Sequence, residues 1–188
     1  MTVVGRRVTG GALSRLLTVL VLLAGPVHAD DPATAAQAQQ RAEAVTQVVL
    51  GILSYARWPV EPVPLRLCLI GPTEYTDDLI KGNLQNSGQP LQVRRLLADD
   101  LEVAQACDAV YIGKLDQGER DLLFQAISGH PVLSISEADD PCTVGSLFCL
   151  RVSDQQVAFE VNLDSVARSG VRIHPSVLQL SRRRAVQP

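Results

Sequence analysis

The chain has 188 residues, of which 17 are basic and 20 acidic, so its formal charge at pH 7 is −3. An acidic chain is a poor candidate for binding nucleic acid or anionic membranes, because both attract basic surfaces. The length is typical of one domain with a single hydrophobic core, since domains of about 100–200 residues are the norm.

Residues 1–29 have the three parts of a secretory signal peptide. The positive charge comes from Arg6, Arg7 and Arg15. Residues 16–25 supply the apolar stretch, and residues 27–29 (Val-His-Ala) supply a small-residue cleavage site. We therefore expect a signal peptide over residues 1–29 and one domain over residues 30–188, located in the periplasm. That domain carries 14 basic and 20 acidic side chains, a formal charge of −6.

Beyond the signal peptide, hydrophobic periodicity predicts helices that alternate with strands. Residues 33–55 contain few helix breakers and place apolar side chains at helical spacing, which predicts an amphipathic helix that ends at Trp58-Pro59. Strands are predicted at residues 65–70, 92–96, 107–112 and 131–136, and helices from Thr73 and over residues 118–128. This alternation favours a mostly parallel sheet with helices on both faces.

The pattern changes after residue 141. Residues 147–152 and 156–161 flank Ser153-Asp154-Gln155, which predicts an antiparallel β-hairpin at the edge of the sheet. Residues 164–169 and 175–184 predict closing helices. The expected fold class is therefore α/β: a single domain with a mostly parallel sheet flanked by helices, a C-terminal β-hairpin and closing helices.

Four cysteines enter the exported domain, and an oxidising compartment favours disulfides. Cys142 and Cys149 are seven residues apart around a Gly-containing turn, whereas Cys68 and Cys107 fall in two strands that are expected to be neighbours. Four cysteines permit three pairings, of which we predict Cys68–Cys107 with Cys142–Cys149. A zinc site is the alternative. It is disfavoured because the sequence contains neither a Cys-x-x-Cys nor a His-x-x-x-His spacing.

Catalytic motifs are absent from the sequence. It contains no Gly-x-Ser-x-Gly elbow, no phosphate-binding loop of the Gly-x-x-x-x-Gly-Lys kind and no dinucleotide fingerprint. Ser128-Gly129-His130-Pro131 places a hydroxyl near an imidazole, but its Gly and Pro are typical of a helix-to-strand turn. The acidic pairs Asp99-Asp100 and Asp139-Asp140 are typical of solvated loops. We therefore predict that the chain is not an enzyme and that it needs no cofactor and no metal.

Two segments carry a more specific signal. Tyr55-Ala56-Arg57-Trp58-Pro59 follows the first helix. Val-Ala-Phe-Glu-Val-Asn-Leu at residues 157–163 leads into Ala-Arg-Ser-Gly-Val-Arg-Ile at 167–173 and Val-Leu-Gln-Leu at 177–180. Their order and separation resemble the YfiR-like periplasmic family. Its members have an aromatic-x-x-Trp-Pro element, then a Phe-Glu-Ile-Asn-Leu strand, a short helix, Gly-Leu and a Leu-rich end. This chain departs from that pattern at Val161, where Ile is common, and at His174-Pro175, where two small hydroxyl residues often stand.

The resemblance implies regulation instead of catalysis. YfiR-like proteins repress a membrane-anchored diguanylate cyclase, YfiN, by binding its periplasmic sensor domain, and so lower cyclic di-GMP. An outer-membrane lipoprotein, YfiB, relieves the repression by sequestering the repressor. The resemblance therefore implies YfiN-like and YfiB-like partners, with a homodimer left open and nucleic acid not expected. The cysteines add the hypothesis that disulfide reduction also relieves repression.

Strand alternation in the predicted hairpin selects candidate residues for the partner contact. Val157, Phe159 and Val161 should face the core, and Ala158, Glu160 and Asn162 the opposite side. Glu160 and Arg168 are then candidates for a polar contact, with an ordinary surface ion pair as the alternative. Ile173 and Val177 are candidates for an apolar contact, with core packing as the alternative.

A small-molecule site is the second function class. Arg57, Trp58 and His174 would combine a cation, an aromatic ring and an imidazole, which suit a ligand with a carboxylate or a ring. The alternative for Trp58 is packing at the end of the helix. The competing function is therefore that of a periplasmic small-molecule-binding sensor protein. An apolar-lined cavity on which these polar groups converge would favour it, whereas a large distance between Arg57 and His174 would remove it.

Overall fold

The computed structural model describes residues 1–2, 32–81, 90–137, 142 and 145–182. The chain divides into two compact units, Met1–Asp30 and Asp31–Pro188, and all described secondary structure lies in the second. The predicted signal peptide falls almost wholly outside the described residues and stays a prediction. None of the helices in the described ranges is long and apolar enough to cross a bilayer.

A six-stranded sheet forms the centre of the second unit. The described strands are β1 (Ala56–Arg57), β2 (Leu65–Ile70), β3 (Leu91–Leu96), β4 (Ala109–Ile112), β5 (Leu133–Ser136), β6 (Phe148–Val152), β7 (Val157–Val161) and β8 (Arg172–Ile173). The sheet has the order β3-β2-β4-β5-β6-β7, and its neighbours are parallel except for the antiparallel pair β6-β7. The predicted α/β class and the predicted C-terminal hairpin are thus confirmed.

Helices cover the sheet and connect its strands. The described helices are α1 (Pro32–Tyr55), α2 (Asp77–Ile80), α3 (Val103–Ala106), α4 (Gln117–Ile127), α5 (Leu163–Ser169) and a closing 3-10 helix (Pro175–Arg182). Local sequence explains where two of them begin. Asp116 and Glu119 form a capping box at the start of α4, and the Asn162 side chain accepts a hydrogen bond from the Ser165 amide at the start of α5.

The central strands are buried on both faces, which accounts for their continuous apolar sequences. Leu67 and Leu69 of β2 pack with residues of α1 on one face of the sheet. Cys68 and Ile70 pack on the other face with residues of α3 and α4. The core therefore forms two layers, one on either side of the sheet.

Several local predictions are corrected by the structure. Thr73 does not cap a helix: α2 begins after Thr76, and the Thr73 hydroxyl instead lies 2.6 Å from the Thr76 hydroxyl. Cys107 precedes its strand and ends α3. Asn162 is buried, because its side chain turns inward to cap α5. The closing helix is a 3-10 helix, and the antiparallel ribbon β1-β8 was not predicted.

Candidate functional site

The exposed side of the hairpin carries an ion pair between Glu160 and Arg151. The Arg151 guanidinium donates to the Glu160 carboxylate at 2.7 and 2.8 Å, and both side chains are about half exposed, at 50% and 53%. Arg151 lies in β6 and Glu160 in the adjacent strand β7. Arg151 pairs with Ala158, which is two residues from Glu160 on the same strand. The surface ion pair considered as the alternative for Glu160 therefore exists, but its partner is Arg151 and not Arg168.

Arg168 lies in the last turn of α5, where its positive charge suits the negative end of a helix. Its side chain is exposed. Gly170 ends the helix with a φ of 72°, a left-handed conformation that glycine adopts at little cost. The hairpin and α5 follow one another directly in the chain, so Glu160 and Arg168 both lie on this C-terminal segment.

The Cys142–Cys149 disulfide adjoins the same hairpin. Its two Cα atoms are 5.7 Å apart. In the β6-β7 register, Cys149 lies directly opposite Glu160. The second disulfide, Cys68–Cys107, joins Cα atoms 5.8 Å apart in the interior of the domain. Both predicted pairings are confirmed.

The ribbon β1-β8 brings the predicted ligand residues Arg57 and His174 to one surface. Arg57 pairs directly with Arg172, and Ala56 with Ile173. Since side chains of a strand alternate between faces, both arginines project from the same face, away from the buried Ala56. The next pair outward is Tyr55 with His174: the His174 amide donates to the Tyr55 carbonyl at 3.0 Å, and their rings stack with centroids 6.1 Å apart.

Two arginines directly opposite each other repel, so this ribbon face is electrostatically suited to an anion. Arg57 also donates to the Ser54 carbonyl at 2.8 Å and to the Ala56 carbonyl at 2.6 Å, which fixes its guanidinium at the end of α1. Arg57, Arg172 and His174 are exposed. We refer to Tyr55, Arg57, Arg172 and His174 as the ribbon face.

Of the predicted site residues, Trp58 and Val177 are buried and Ile173 is partly buried. Trp58 is 8% exposed, packs in the core and donates its indole N–H to the Asp108 carbonyl at 3.0 Å. This corrects its expected place beside a ligand and agrees with packing at the helix end. Val177 is 2% exposed and belongs to the core, and Ile173 packs against it. Val177 therefore packs in the core, which is the alternative considered for it, whereas Ile173 packs beside the core and stays partly exposed.

The carboxyl edge of the sheet is where folds of this architecture bind ligands, in a crevice at the point where the strand order reverses. Here that point lies between β2 and β4. The two loops that leave it contact each other: the Lys114 amide donates to the Pro72 carbonyl at 2.8 Å, and the Gly113 amide to the Ile70 carbonyl at 2.9 Å. A side chain at Gly113 would collide with the Pro72 carbonyl. Backbone contacts therefore hold the β2 and β4 loops together at this edge.

Glu137 closes the same edge from the end of β5. Its carboxylate accepts hydrogen bonds from the Tyr111 hydroxyl at 2.8 Å and from the Glu74 amide at 2.7 Å. Burial raises the pKa of Glu137, although these hydrogen bonds act in the opposite direction. Burial also raises the pKa of Tyr111, which keeps its hydroxyl protonated as a donor. Among the described residues, no cluster of three or more His, Cys, Asp or Glu side chains could hold a metal ion.

The comparisons with known proteins decide the family. A protein-family model described as YfiR/HmsC-like matches residues 42–182. The chain belongs to the YfiR/HmsC-like family. The matched region runs from the middle of α1 to the end of the closing 3-10 helix, so it includes the hairpin, α5 and the ribbon face. The family resemblance predicted from Tyr55–Pro59 and the C-terminal motifs is thereby confirmed.

A comparison with solved structures matches the O-acetylhomoserine sulfhydrylase of Wolinella succinogenes. The match has 12% sequence identity and a TM-score of 0.40, and it covers 76% of this chain and 48% of that enzyme. This chain therefore spans about half the length of that enzyme. At such a low similarity, the match carries no information about the function of this YfiR/HmsC-like protein.

Two residues of the candidate surfaces were not predicted from the sequence: Arg151 on the hairpin and Arg172 on the ribbon face. Arg151 has a recognisable signal, because the register of the predicted hairpin brings it close to Glu160. Arg172 has none, because its neighbour Arg57 is distant in the chain and the two meet through a two-residue ribbon that periodicity cannot detect. The acidic pair Asp139-Asp140 lies outside the described residues.

Proposed function

We propose that this protein is a periplasmic repressor that binds the periplasmic sensor domain of a YfiN-like diguanylate cyclase and lowers cyclic di-GMP. Membership of the YfiR/HmsC-like family is the observation that carries the proposal. Such a repressor acts by binding the inactive state of the cyclase more tightly than the active state, because a ligand shifts an equilibrium only through differential affinity. Sequestration by a YfiB-like outer-membrane lipoprotein then relieves repression.

The partner contact is proposed to lie on the hairpin and α5. Glu160 and Arg168 present an acid and a base that are both exposed. Arg151 neutralises Glu160 in the free protein, so a partner would have to displace this pair or extend it. Exposed ion pairs contribute little to stability, about 0–1 kcal/mol, so exchanging their members costs the fold little.

Reduction of the Cys142–Cys149 disulfide is proposed as a second way to relieve repression. Cys149 lies opposite Glu160, so the disulfide and the proposed contact share one pair of strands. Opening the bond would free Cys142 from β6 and change the support beneath the Glu160 side chain. The interior bond, Cys68–Cys107, has no such position next to the hairpin.

Deleting the gene and measuring cyclic di-GMP tests the function. We expect the messenger to rise in the deletion strain and to return to its original level when the wild-type chain is restored. The purified domain should also bind the isolated periplasmic domain of the cyclase. An unchanged cyclic di-GMP level under conditions in which the cyclase is expressed would overturn the proposal.

A charge exchange tests the surface separately from the function. The double variant Arg151→Glu with Glu160→Arg keeps an ion pair on the hairpin but reverses its polarity. If Glu160 contacts the cyclase, this variant should fold normally and fail to repress. As a matched control, Glu102→Arg reverses an exposed carboxylate at the start of α3 and should leave repression intact. Full repression by the double variant would remove Glu160 from the interface while leaving the function untouched.

Small-molecule sensing is a second candidate, which the ribbon face favours. The juxtaposed Arg57 and Arg172 leave two positive charges side by side, next to the stacked Tyr55 and His174. A ligand with a carboxylate and an aromatic ring would neutralise the arginines and extend the stack. We propose Arg57 and His174, joined by Arg172, as its contacts, without Trp58.

Thermal shift measurements with aromatic carboxylates test this candidate. We expect an increase in melting temperature that depends on ligand concentration, because a ligand stabilises the state that it binds. Arg172→Gln should abolish the increase, whereas Arg168→Gln, a matched change on α5, should retain it. Equal responses of both variants would show that the ribbon face is not the ligand site.

A further inference from the structure

The six-stranded sheet has two edge strands, and they differ in how far a partner can reach their backbone. β3 is one edge and β7 is the other. Val157 and Phe159 of β7 are only 6% and 8% exposed, and α1 and the closing 3-10 helix contact that strand. Every residue of β3 is at least partly exposed. An open strand edge carries unpaired amides and carbonyls that pair readily with another extended chain. The β3 edge is therefore the more accessible of the two.

The backbone of β3 alternates between β2 and the open side of the sheet. The Leu65 amide of β2 donates to the Pro90 carbonyl, just before β3 begins. Since alternate residues of a parallel strand direct both backbone groups to the same neighbour, every second residue from Pro90 onward faces β2. The other residues face the open side, and no described residue forms a hydrogen bond with their backbone there. These residues are Leu91, Val93 and Arg95.

Two arginines place positive charge at this edge, one on each face of the sheet. Arg94 and Arg95 are consecutive and both exposed, so their side chains project to opposite faces. The Arg94 guanidinium donates to the Ala106 carbonyl at 2.5 Å, and the Arg95 guanidinium donates to the hydroxyls of Thr73 and Thr76. These acceptors are uncharged, and neither arginine forms an ion pair within the described ranges. Both positive charges are thus held in place without a carboxylate partner.

Apolar side chains extend this surface beyond the end of β3. Leu97 is 73% exposed and Leu101 is 88% exposed, and both lie in the loop that leads to α3. Large exposed apolar side chains that occur together are typical of interaction surfaces. Asp99 and Asp100 lie between the two leucines in the sequence, so this loop does not favour an acidic residue of a partner. The edge therefore offers positive charge along the strand and an apolar contact at its carboxyl end.

We propose that the β3 edge binds an extended acidic segment of a partner protein, which adds a strand to the sheet. The segment pairs antiparallel, the arrangement that gives the more stable ladder. It carries two consecutive acidic residues opposite Arg95 and Arg94, one for each face of the sheet, and an apolar residue beside Leu97. Main-chain hydrogen bonds supply the affinity and the side chains supply the specificity, as in other cases of strand addition.

A second copy of this chain fits the edge less well than an acidic segment. β3 reads Leu-Gln-Val-Arg-Arg-Leu and contains no acidic residue, so pairing two β3 strands would bring together arginines from both copies without a carboxylate. The edge is also separate from the surface proposed for the cyclase. Five strand spacings place β3 about 24 Å from β7 across the sheet. Binding at the β3 edge therefore does not depend on the contact proposed at Glu160 and Arg168.

An NMR titration of the full domain with a complementary peptide tests this surface. The peptide Leu-Thr-Glu-Asp-Val-Thr-Val, blocked at both ends, places its Glu opposite Arg95 and its Asp opposite Arg94 in the antiparallel register. The amide signals of Leu91, Val93 and Arg95 should move more than those of the residues between them, because only these three amides face the added strand. The analogue with Gln and Asn in place of Glu and Asp should bind about 2- to 30-fold more weakly, since it loses both cross-strand ion pairs. An absence of shifts at millimolar peptide, or shifts without this alternation, would overturn the proposal.

Val93→Pro blocks the edge without breaking the ladder to β2, because the Val93 amide faces the open side, where proline is tolerated. Peptide binding should be lost in this variant and retained in Val93→Thr, which keeps the amide and a branched side chain. If Val93→Pro lowered the oligomeric state of the domain, the edge would belong to a second copy and the proposal would fail.

Methylated peptides provide a test that needs no variant of the protein. Methyl groups on the backbone nitrogens of the peptide's Glu and two Val residues should abolish binding, because these nitrogens face β3 in the antiparallel register. Methyl groups on the nitrogens of its Asp and two Thr residues face away and should leave binding in place. Equal binding of the two methylated peptides would show that the peptide does not add to the sheet as a strand.

Discussion

The two disulfides hold the domain in different surroundings. Cys68–Cys107 lies in the interior, where the two residues are 0% and 2% exposed, and it connects β2 with the residue that ends α3. Cys142–Cys149 lies beside the hairpin near the end of the sheet, and Cys142 is partly exposed. The two disulfides differ most in the other contacts that join the segments each of them links.

The interior disulfide is accompanied by a second link between the same segments, a clamp of hydrogen bonds between Arg66 and Asp108. The Asp108 carboxylate accepts from two guanidinium nitrogens of Arg66, at 2.7 and 2.9 Å, and from the Arg66 amide at 2.8 Å. The Asp108 amide in turn donates to the Arg66 carbonyl at 2.9 Å, and Trp58 donates to the Asp108 carbonyl. The hydrogen bond to Asp108 raises the pKa of Arg66, as expected for a paired guanidinium.

The edge disulfide is accompanied by a packing contact at Gly145. This residue has a φ of 92°, and a side chain there would collide with the Phe124 ring of α4. The Leu147 amide, at the end of the loop, donates to the Ser134 hydroxyl at 3.0 Å. Loss of the interior bond should therefore lower stability, while the Arg66–Asp108 clamp keeps the local geometry unchanged. Loss of the edge bond should change local structure at a smaller cost in stability.

The largest effect is expected from replacing Cys68 and Cys107 together by serine. In the chain-entropy account, a bond that closes a loop of 39 residues' separation contributes about 4 kcal/mol, a large part of the roughly 5–15 kcal/mol of a typical domain. Denaturant unfolding should show this loss, while amide spectra of the folded variant stay close to those of the wild type. Widespread change in the amide spectrum would show that the Arg66–Asp108 clamp does not hold the two segments together without the disulfide.

Gly145→Ala should follow, at about 2–3 kcal/mol, because it combines strain at a positive φ with overpacking against Phe124. Gly129→Ala is a matched control, since Gly129 also has a positive φ, 76°, but an added Cβ would have no atom within 4 Å. The control should lose about 1–2 kcal/mol, from strain alone. Equal losses in thermal unfolding would show that Phe124 does not hold the loop.

Replacing Cys142 and Cys149 by serine should cost no more than about 2.5 kcal/mol, because the closed loop has a sequence separation of only 7. Its local effect should exceed that of the interior pair. Hydrogen exchange of the amides of residues 157–161 should accelerate in this variant more than in the interior variant, since Cys149 pairs with Glu160. Faster exchange spread evenly over the domain would instead indicate a purely global role.

The strands and the two disulfide pairings could be predicted from the sequence, but the side-chain contacts that hold the same segments together could not. The alternation of apolar runs predicted the central strands, and their expected adjacency predicted the Cys68–Cys107 pairing. The short separation around a Gly-containing turn predicted Cys142–Cys149. The Arg66–Asp108 clamp escaped prediction because it joins residues 42 positions apart through side-chain geometry. The burial of Trp58 and Val177 likewise depends on which elements pack over them. Hydrophobic periodicity indicates which face of a helix or strand is apolar, but it does not indicate which other element packs against that face.

The smallest loss of stability is expected from Asp108→Asn. This substitution also tests most directly whether the Arg66–Asp108 clamp and the Cys68–Cys107 disulfide support the same link. Asparagine keeps one oxygen as an acceptor but loses the charge that binds the Arg66 guanidinium twice, so alone it should cost about 1–2 kcal/mol. In the variant that lacks Cys68 and Cys107, the same substitution removes the remaining clamp, and its cost should rise by at least about 0.5 kcal/mol. Asp154→Asn breaks the exposed pair with Arg41 and serves as the control, with equal costs in both backgrounds. Denaturant unfolding of the four chains in each cycle measures the coupling. If Asp108→Asn were as additive as the control, the clamp and the disulfide would act independently, and the interior link would have no duplicate.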